Sequence, residues 1–330
     1  MTAVTETLTP TATPRGAKTA WAWARAFGGV GILALLVWQV GTGPFLDGVR
    51  VIDVSALVIA SAIGVVTTVC SAWRWSLVAA GLGVRLPLRG AVAAYYRSQF
   101  LNTTLPGGVL GDVHRALRHG LDIGDVGLSV RAVVLERSAG HVAQVTVATL
   151  VLFAFPSPVR STMPLVALGV VAAGLVLLVA ARALSRHGSS WLVRALRSVG
   201  SDIRGGLFAH RNWLAIVATS TVVLAGHLAT FLLAARTAGA TAPLSRLVPL
   251  TLLALLAMAL PLSFAGWGPR EGVAAWAFAA AGLTATQGVA TAVTYGVLAL
   301  VASLPGAVIL VAQWSTNSRA TAVRAGERRG

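Results

Sequence analysis

Two segments of the chain interrupt long apolar runs with the same pattern of helix-breaking residues. The first runs from Leu105 as Leu-Pro-Gly-Gly-Val-Leu-Gly-Asp-Val-His-Arg, and the second runs from Leu260 as Leu-Pro-Leu-Ser-Phe-Ala-Gly-Trp-Gly-Pro-Arg. Leucine, proline, one glycine and arginine occupy the same offsets in both. Paired interruptions of apolar segments are typical of the broken helices that form binding sites in membrane transporters.

The composition indicates a membrane protein. Hydrophobic residues make up 56% of the chain and charged residues only 11%, against roughly 25% charged in an average soluble domain. Apolar runs that suit a hydrocarbon core about 30 Å thick occur near 26–41, 54–71, 141–155 (extending back to about 126), 164–181, 212–235 and 286–313. We therefore predict an all-α integral membrane protein with about six transmembrane helices and two re-entrant helical hairpins, at 90–120 and 245–282.

The net charge of +16 is distributed in a way that favours a membrane topology over nucleic-acid binding. Most basic residues fall in alternate loops, which is the positive-inside pattern. It predicts a multi-pass membrane protein with both termini in the cytoplasm. The basic residues assigned to cytoplasmic segments include Arg15, Lys18, Arg25, Arg74, Arg85, Arg89, Arg97, Arg115, Arg118, Arg182, Arg186, Arg194, Arg197, Arg204, Arg211, Arg319, Arg324, Arg328 and Arg329.

The predicted segments divide the chain into two halves of similar order. Each half holds an odd number of spans, so the second half is expected to be inserted upside down relative to the first. The alternative is that Leu-Pro and Gly recur by chance in a Gly-rich apolar chain. The predicted domains are a disordered cytoplasmic tail at 1–20, a transmembrane domain at 21–315 with repeats at 21–158 and 159–315, and a basic cytoplasmic tail at 316–330.

Ionisable residues near the breaks are the candidates for chemistry, because a charge in the bilayer costs several kcal/mol unless it is paired or wetted. Glu136 and Arg137 lie in the third span, and Arg270 and Glu271 follow the second break. The second arm of each hairpin should begin with free N–H groups and a positive dipole end, which suits a phosphate. Arg115 and Arg270 would add charge-assisted contacts to the same anion. The alternative role of the Glu–Arg pairs is to lock helices together.

The same residues resemble a known family. Asn102-x-x-Leu105-Pro106-Gly107 with Gly111-Asp112-x-x-Arg115, then Glu136-Arg137, and then Gly266-x-Gly268-x-Arg270-Glu271 are similar in order and spacing to motifs of the lysylphosphatidylglycerol synthase transmembrane region. That region is the flippase-like domain of the multiple peptide resistance factor and its stand-alone relatives. The predicted substrate-binding residues are accordingly Asn102, Pro106, Gly107, Gly111, Asp112, Arg115, Glu136, Arg137, Gly266, Gly268, Arg270 and Glu271.

The resemblance implies transport of a lipid or lipid-linked molecule between leaflets, with membrane lipids as partners. Full-length synthases carry a soluble aminoacyl-transferase domain, which has no counterpart in this sequence, so we expect no enzyme activity and a separate lipid-modifying enzyme as a partner. The chain lacks a Walker-type phosphate loop, and its single cysteine, Cys70, excludes an internal disulfide. No cofactor or metal is expected.

Two other classes of function fit the sequence. An intramembrane enzyme acting on a lipid phosphate would use His114, Asp112 and Arg115. A small-solute or ion transporter would use the same repeat without a cavity open to lipid. The sequence identifies neither the lipid, the coupling ion nor the oligomeric state.

Overall fold

The computed structural model describes residues 41–105, 108–165, 200–207, 212–259 and 267–327, together with short pieces between 31 and 39 and between 168 and 179. Within these ranges the chain is helical, without a β-strand. The helices are α1 (Gly43–Arg50), α2 (Val54–Gly81), α3 (Leu88–Thr104), α4 (Leu110–Ile123), α5 (Val126–Ala154), α6 (Asn212–Thr237), α7 (Leu244–Ala257), α8 (Pro269–Ala280) and α9 (Ala285–Glu327).

Three of the described helices are long and apolar enough to cross a membrane, namely α2, α6 and the Ala285–Trp314 part of α9. They coincide with the predicted spans at 54–71, 212–235 and 286–313. Only 28% to 33% of the most apolar window of each helix is buried within the protein, and Val54 and Val58 on α2 are more than half exposed. This apolar surface suits contact with lipid. The predicted spans at 26–41 and 164–181 lie partly outside the described residues, and the tail at 1–20 lies wholly outside them.

Aspartates cap the N-terminal ends of α2 and α5, the two long helices of the first half. Asp53 precedes α2 and Asp125 precedes α5, and each carboxylate accepts a hydrogen bond of 2.8 Å from a first-turn amide. Such caps satisfy an amide that has no partner inside the helix. Accepting this hydrogen bond, from Ala56, also lowers the pKa of the exposed Asp53 carboxyl. Gly124 ends α4 with a φ of 75°, a left-handed conformation that favours glycine.

The order of helix lengths in the first half recurs in the second. Helices α2 to α5 contain 28, 17, 14 and 29 residues, and α6 to α9 contain 26, 14, 12 and 43. Helices α3 and α4 pack against each other, as do α7 and α8. At 1.5 Å per residue, each of these four is about 18–26 Å long, which is shorter than the hydrocarbon core. Each break in the sequence therefore separates two short, packed helices.

Helix α9 connects the two halves, because it packs against α1, α2, α3, α6 and α8. Its Tyr295 stacks on Phe231 of α6 with ring centroids 4.8 Å apart. The helix continues to Glu327, well into the segment predicted as a basic tail. Helix α2 also runs past the predicted end of its span at 71, to Gly81. Arg74, which was predicted to lie in a cytoplasmic loop, is therefore a buried residue inside the bundle.

Gly111 allows the close contact between α3 and α4. A Cβ atom at this position would lie 2.0 Å from the backbone oxygen of Ser98, so the two helices could not keep their spacing. We expect Gly111→Ala to lower the midpoint of thermal unfolding in detergent by several degrees, because overpacking of this kind costs about 1–3 kcal/mol. Gly90→Ala in α3 is the matched control, since its Cβ meets only Pro87 at 3.7 Å. Equal midpoints for the two variants would contradict the packing argument.

Candidate functional site

Glu136 is the centre of a buried ionic network between the helices of the first half. Its side chain is fully buried, and Arg74 of α2 donates to Oε1 through Nε at 3.0 Å and Nη2 at 2.6 Å. Tyr95 of α3 donates to the same oxygen at 3.2 Å, and Arg115 of α4 donates to Oε2 at 3.2 Å. Arg74 also donates to Ser220 of α6 at 3.1 Å. One carboxylate thus binds side chains from α2, α3 and α4 to α5.

Asp112 extends this network to the first break. Its carboxylate accepts hydrogen bonds from Ser98 at 2.9 Å, Asn102 at 3.1 Å and Arg115 at 2.9 Å, and Arg137 approaches it to 2.6 Å. The Asn102 side chain in turn accepts the Gly111 amide at 2.8 Å. This amide, which was expected to be free for a ligand, is therefore bound within the chain.

Arg115 is enclosed by aromatic rings as well as by carboxylates. Its guanidinium carbon lies 4.5 Å from the ring centroid of Trp75 and 4.3 Å from that of Tyr95. The side chain has no exposed surface. Its Nε and Nη1 atoms have no hydrogen-bond partner, and the two ring faces supply a cation–π environment in their place.

The second break contains a smaller version of the same arrangement. Glu271 is fully buried; it accepts the Gly268 amide at 2.7 Å and the Nε of Arg270 at 2.9 Å, and it forms a further ion pair with Nη2. The Arg270 guanidinium carbon lies 5.2 Å from the Trp267 ring centroid and 5.1 Å from that of Tyr295. Gly268 has a φ of 114°, a conformation that favours glycine. Pro269 is the first residue of α8, a position where a helix tolerates proline.

Arg115 and Arg270, which occupy the same offset in the two sequence segments, therefore have corresponding environments. Each arginine is at most 4% exposed, contacts a fully buried glutamate and lies near two aromatic rings. The likeness extends from the sequence to the surroundings of the side chains.

A cavity of about 310 Å³ lies between the two breaks. Gly108 lines it from the first break, while Met258, Ala259 and Pro269 line it from the two sides of the second. Its charged lining consists of Arg74, Arg137 and Arg270, among the described residues. Arg137, His141 and Gln144, which the sequence places along one stripe of α5, all line it.

The predicted binding residues occupy two positions relative to this cavity. Asn102, Arg137 and Arg270 line it. Gly111, Asp112, Arg115, Glu136, Gly268 and Glu271 are not in its lining but hold the lining residues or the helix ends in place. Pro106, Gly107 and Gly266 lie outside the described residues.

The sequence reasoning did not identify several members of the network. Arg74 was counted with the loop arginines, and Tyr95, Ser98 and Ser220 were not singled out. An arginine flanked by two tryptophans at 73–75, directly after an apolar run, reads as an interfacial residue. Only the extension of α2 to Gly81 shows that Arg74 is internal.

His114, Asp112 and Arg115, the residues expected to act in an intramembrane enzyme, do not form a site at the cavity. Asp112 and Arg115 are engaged with each other, and His114 is not among the residues that line the cavity. Within the described part of the chain, no group of three or more His, Cys, Asp or Glu residues has metal-site geometry.

The network predicts a large loss of stability when its central charge is removed. Glu136→Gln leaves Arg74 and Arg115 buried with too little negative charge, so we expect the free energy of unfolding in detergent to fall by about 3–5 kcal/mol. Asp202→Asn is the control, because it breaks an ion pair of 3.5 Å to a half-exposed Arg131 and should cost about 0–1 kcal/mol. Similar losses for both variants would argue against a central role for Glu136.

Comparison with known proteins assigns the family. The comparisons with curated proteins and with solved structures give no match. A family model described as the lysylphosphatidylglycerol synthase TM region matches residues 21–306, a range that contains both breaks, the ionic network and the cavity. The chain therefore belongs to the lysylphosphatidylglycerol synthase transmembrane-region family, as its motifs predict.

Proposed function

We propose that the protein moves a lipid or lipid-linked molecule between the leaflets of the bacterial plasma membrane, by binding its anionic headgroup in the cavity. The observation that carries the proposal is that one cavity is lined by both breaks and by three arginines. Arginine is well suited to phosphate, because its planar guanidinium can donate two parallel hydrogen bonds. Membership of the family supports a lipid-related function for this membrane protein.

The size of the cavity favours a headgroup over a whole lipid. A volume of about 310 Å³ lies at the lower end of the range for small-molecule pockets, roughly 300–1,000 Å³. In this proposal the acyl chains stay in the bilayer while the headgroup crosses. This requirement distinguishes a lipid from a freely soluble solute, because acyl chains that stay in the bilayer need a lateral opening between the cavity and the lipid.

The arginines have different roles in the proposed mechanism. Arg137 is the main headgroup contact, since 36% of its side chain is accessible and it lines the cavity. Arg74 and Arg270 line the cavity but are each bound to a buried glutamate. Arg115 is enclosed, so its part is to hold Asp112 and Glu136 in position rather than to contact the headgroup.

The two hairpins supply the means of alternating access. We propose that α3–α4 and α7–α8 are re-entrant hairpins of an inverted-topology repeat that enter the membrane from opposite faces. The recurring helix lengths and the corresponding environments of Arg115 and Arg270 support this arrangement. Rocking of one repeat against the other would then expose the cavity to each leaflet in turn. Movement is either downhill or coupled to an ion gradient, and a separate lipid-modifying enzyme would supply or consume the cargo.

Single-cysteine labelling tests the topology in a Cys70→Ser background. Cysteines at Arg89 and Asp122 lie near the outer ends of α3 and α4, so both should react from the cytoplasmic side, as should a cysteine in either terminus. A cysteine at Thr241, in the loop between α6 and α7, should react from outside. If positions 89 and 122 label from opposite sides, the hairpin crosses the membrane and the inverted repeat is wrong.

Transport in proteoliposomes tests the function. Purified protein should accelerate the movement of tail-labelled phosphatidylglycerol between leaflets relative to protein-free vesicles. We expect Arg137→Gln to reduce the rate about tenfold, because it removes a charge-assisted contact, and Arg137→Lys to reduce it less. Arg131→Gln on the same helix changes an arginine that pairs with Asp202 outside the cavity, and it should transport normally. An undiminished rate in a folded Arg137→Gln variant would rule out the proposed contact.

A further inference from the structure

The charges around the cavity do not cancel. Arg74, Arg115 and Arg137 share only two carboxylates, those of Asp112 and Glu136. Arg270 and Glu271 form a separate neutral pair. One positive charge therefore lacks a counter-charge within these groups, and Arg137 is the arginine whose side chain is accessible from the cavity. An unbalanced charge in an apolar bundle is costly unless an ion of opposite sign binds to it.

Among the described residues, no carboxylate lines the cavity to bind a cationic headgroup. Of its ten acidic residues, three are those already paired with arginines at the cavity. Asp53 and Asp125 cap helices, and Asp202 pairs with Arg131. No acidic residue is found among the described residues of the cavity lining, and the undescribed segments 106–107 and 260–266 contain none. The four that remain are Glu6, Asp47, Asp122 and Glu327.

Hydroxyl groups form much of the uncharged polar lining. The Thr67, Thr230 and Ser303 hydroxyls each donate to a carbonyl of their own helix, at 3.1, 2.9 and 2.8 Å, and Thr103 does the same at 3.0 Å. A hydroxyl that has donated its proton keeps lone pairs that accept hydrogen bonds. These oxygens would complement the O–H donors of a polyol. They would not complement phosphate oxygens, which only accept.

We infer that the cavity selects a phosphodiester headgroup that carries one negative charge and free hydroxyl groups, such as glycerol or a sugar, over a cationic aminoacylated headgroup. This inference rests on the proposed function. Arg137 binds the phosphate, and the hydroxyl-lined walls accept the hydrogen bonds of the polyol. A lysyl group would bring two ammonium ions into a cavity that already has an excess of positive charge.

Rates of movement for four tail-labelled lipids test the inference. The probes are phosphatidylglycerol, phosphatidylinositol, phosphatidylmethanol and lysylphosphatidylglycerol, each present as a trace in phosphatidylcholine vesicles that contain the full chain. We expect phosphatidylglycerol and phosphatidylinositol to move at least about tenfold faster than lysylphosphatidylglycerol, because the cavity arginines repel the two ammonium groups that the lysyl ester adds. Phosphatidylmethanol has the same charge but no hydroxyl group, and it should move several-fold more slowly than phosphatidylglycerol.

The outcomes separate the inference from the function on which it rests. If lysylphosphatidylglycerol moves as fast as phosphatidylglycerol or faster, the charge selectivity is wrong while lipid transport stands. If phosphatidylmethanol equals phosphatidylglycerol, the hydroxyl part of the inference is wrong. If no probe moves faster than in protein-free vesicles, the proposed function fails and the inference fails with it.

A designed carboxylate provides a second test. Gln144→Glu places a carboxylate at a position of α5 that lines the cavity. It should lower the ratio of the phosphatidylglycerol rate to the lysylphosphatidylglycerol rate about tenfold. Gln287→Glu adds the same charge to a partly exposed residue of α9 that donates a hydrogen bond to the Gly239 carbonyl and does not line the cavity, and it should leave the ratio unchanged. A folded Gln144→Glu variant with the original ratio would overturn the inference.

Discussion

The organisation of this bundle depends on one constraint, namely that a charge in an apolar interior must be neutralised by a partner. Glu136 meets the constraint by accepting hydrogen bonds from Arg74, Tyr95 and Arg115, which lie on α2, α3 and α4. The short helices α3 and α4 come close enough for these contacts because residue 111 has no side chain. The close packing at Gly111 therefore supports the ion pairs at Glu136. Arg74 and Arg137 of this network line the neighbouring cavity and give it an excess of positive charge.

Much of the site follows from the sequence, because bilayer energetics restrict what an internal charge can do. Asp112, Arg115, Glu136 and Arg137 are brought together as their placement beside a break and within a span suggested. The rotation of about 100° per residue along a helix also separates Glu136, which faces its arginines, from Arg137, which faces the cavity with His141. The motifs were sufficient to identify the family. Three of the six predicted spans are described helices that are long and apolar enough to cross a membrane, and the total of six stays a prediction.

The remaining features depend on contacts between distant parts of the chain. Arg74 follows an apolar run, where an arginine usually marks the membrane surface, and only the packing of α2 against α6 reveals it as internal. The different environments of the arginines likewise depend on contacts between helices that are distant in the sequence. Arg115 is enclosed because Trp75 and Tyr95 arrive from two other helices, and no local pattern around Arg115 encodes that. The Gly111 and Gly268 amides are likewise taken by Asn102 and Glu271, so these two amides are not free to bind an anion.

The shared carboxylate of Asp112 has a consequence for how such a sequence can change over evolutionary time. Asp112 forms ion pairs with Arg115 and Arg137, while Arg115 forms ion pairs with both Asp112 and Glu136. Neither Asp112 nor Glu136 can be exchanged for a neutral residue without leaving buried arginines with too little negative charge. Substitutions at these positions are therefore expected to be inherited as a set, and homologues should carry either the whole constellation or a wholly different polar core. Covariation among these positions would reflect the pairing of opposite charges inside the bundle.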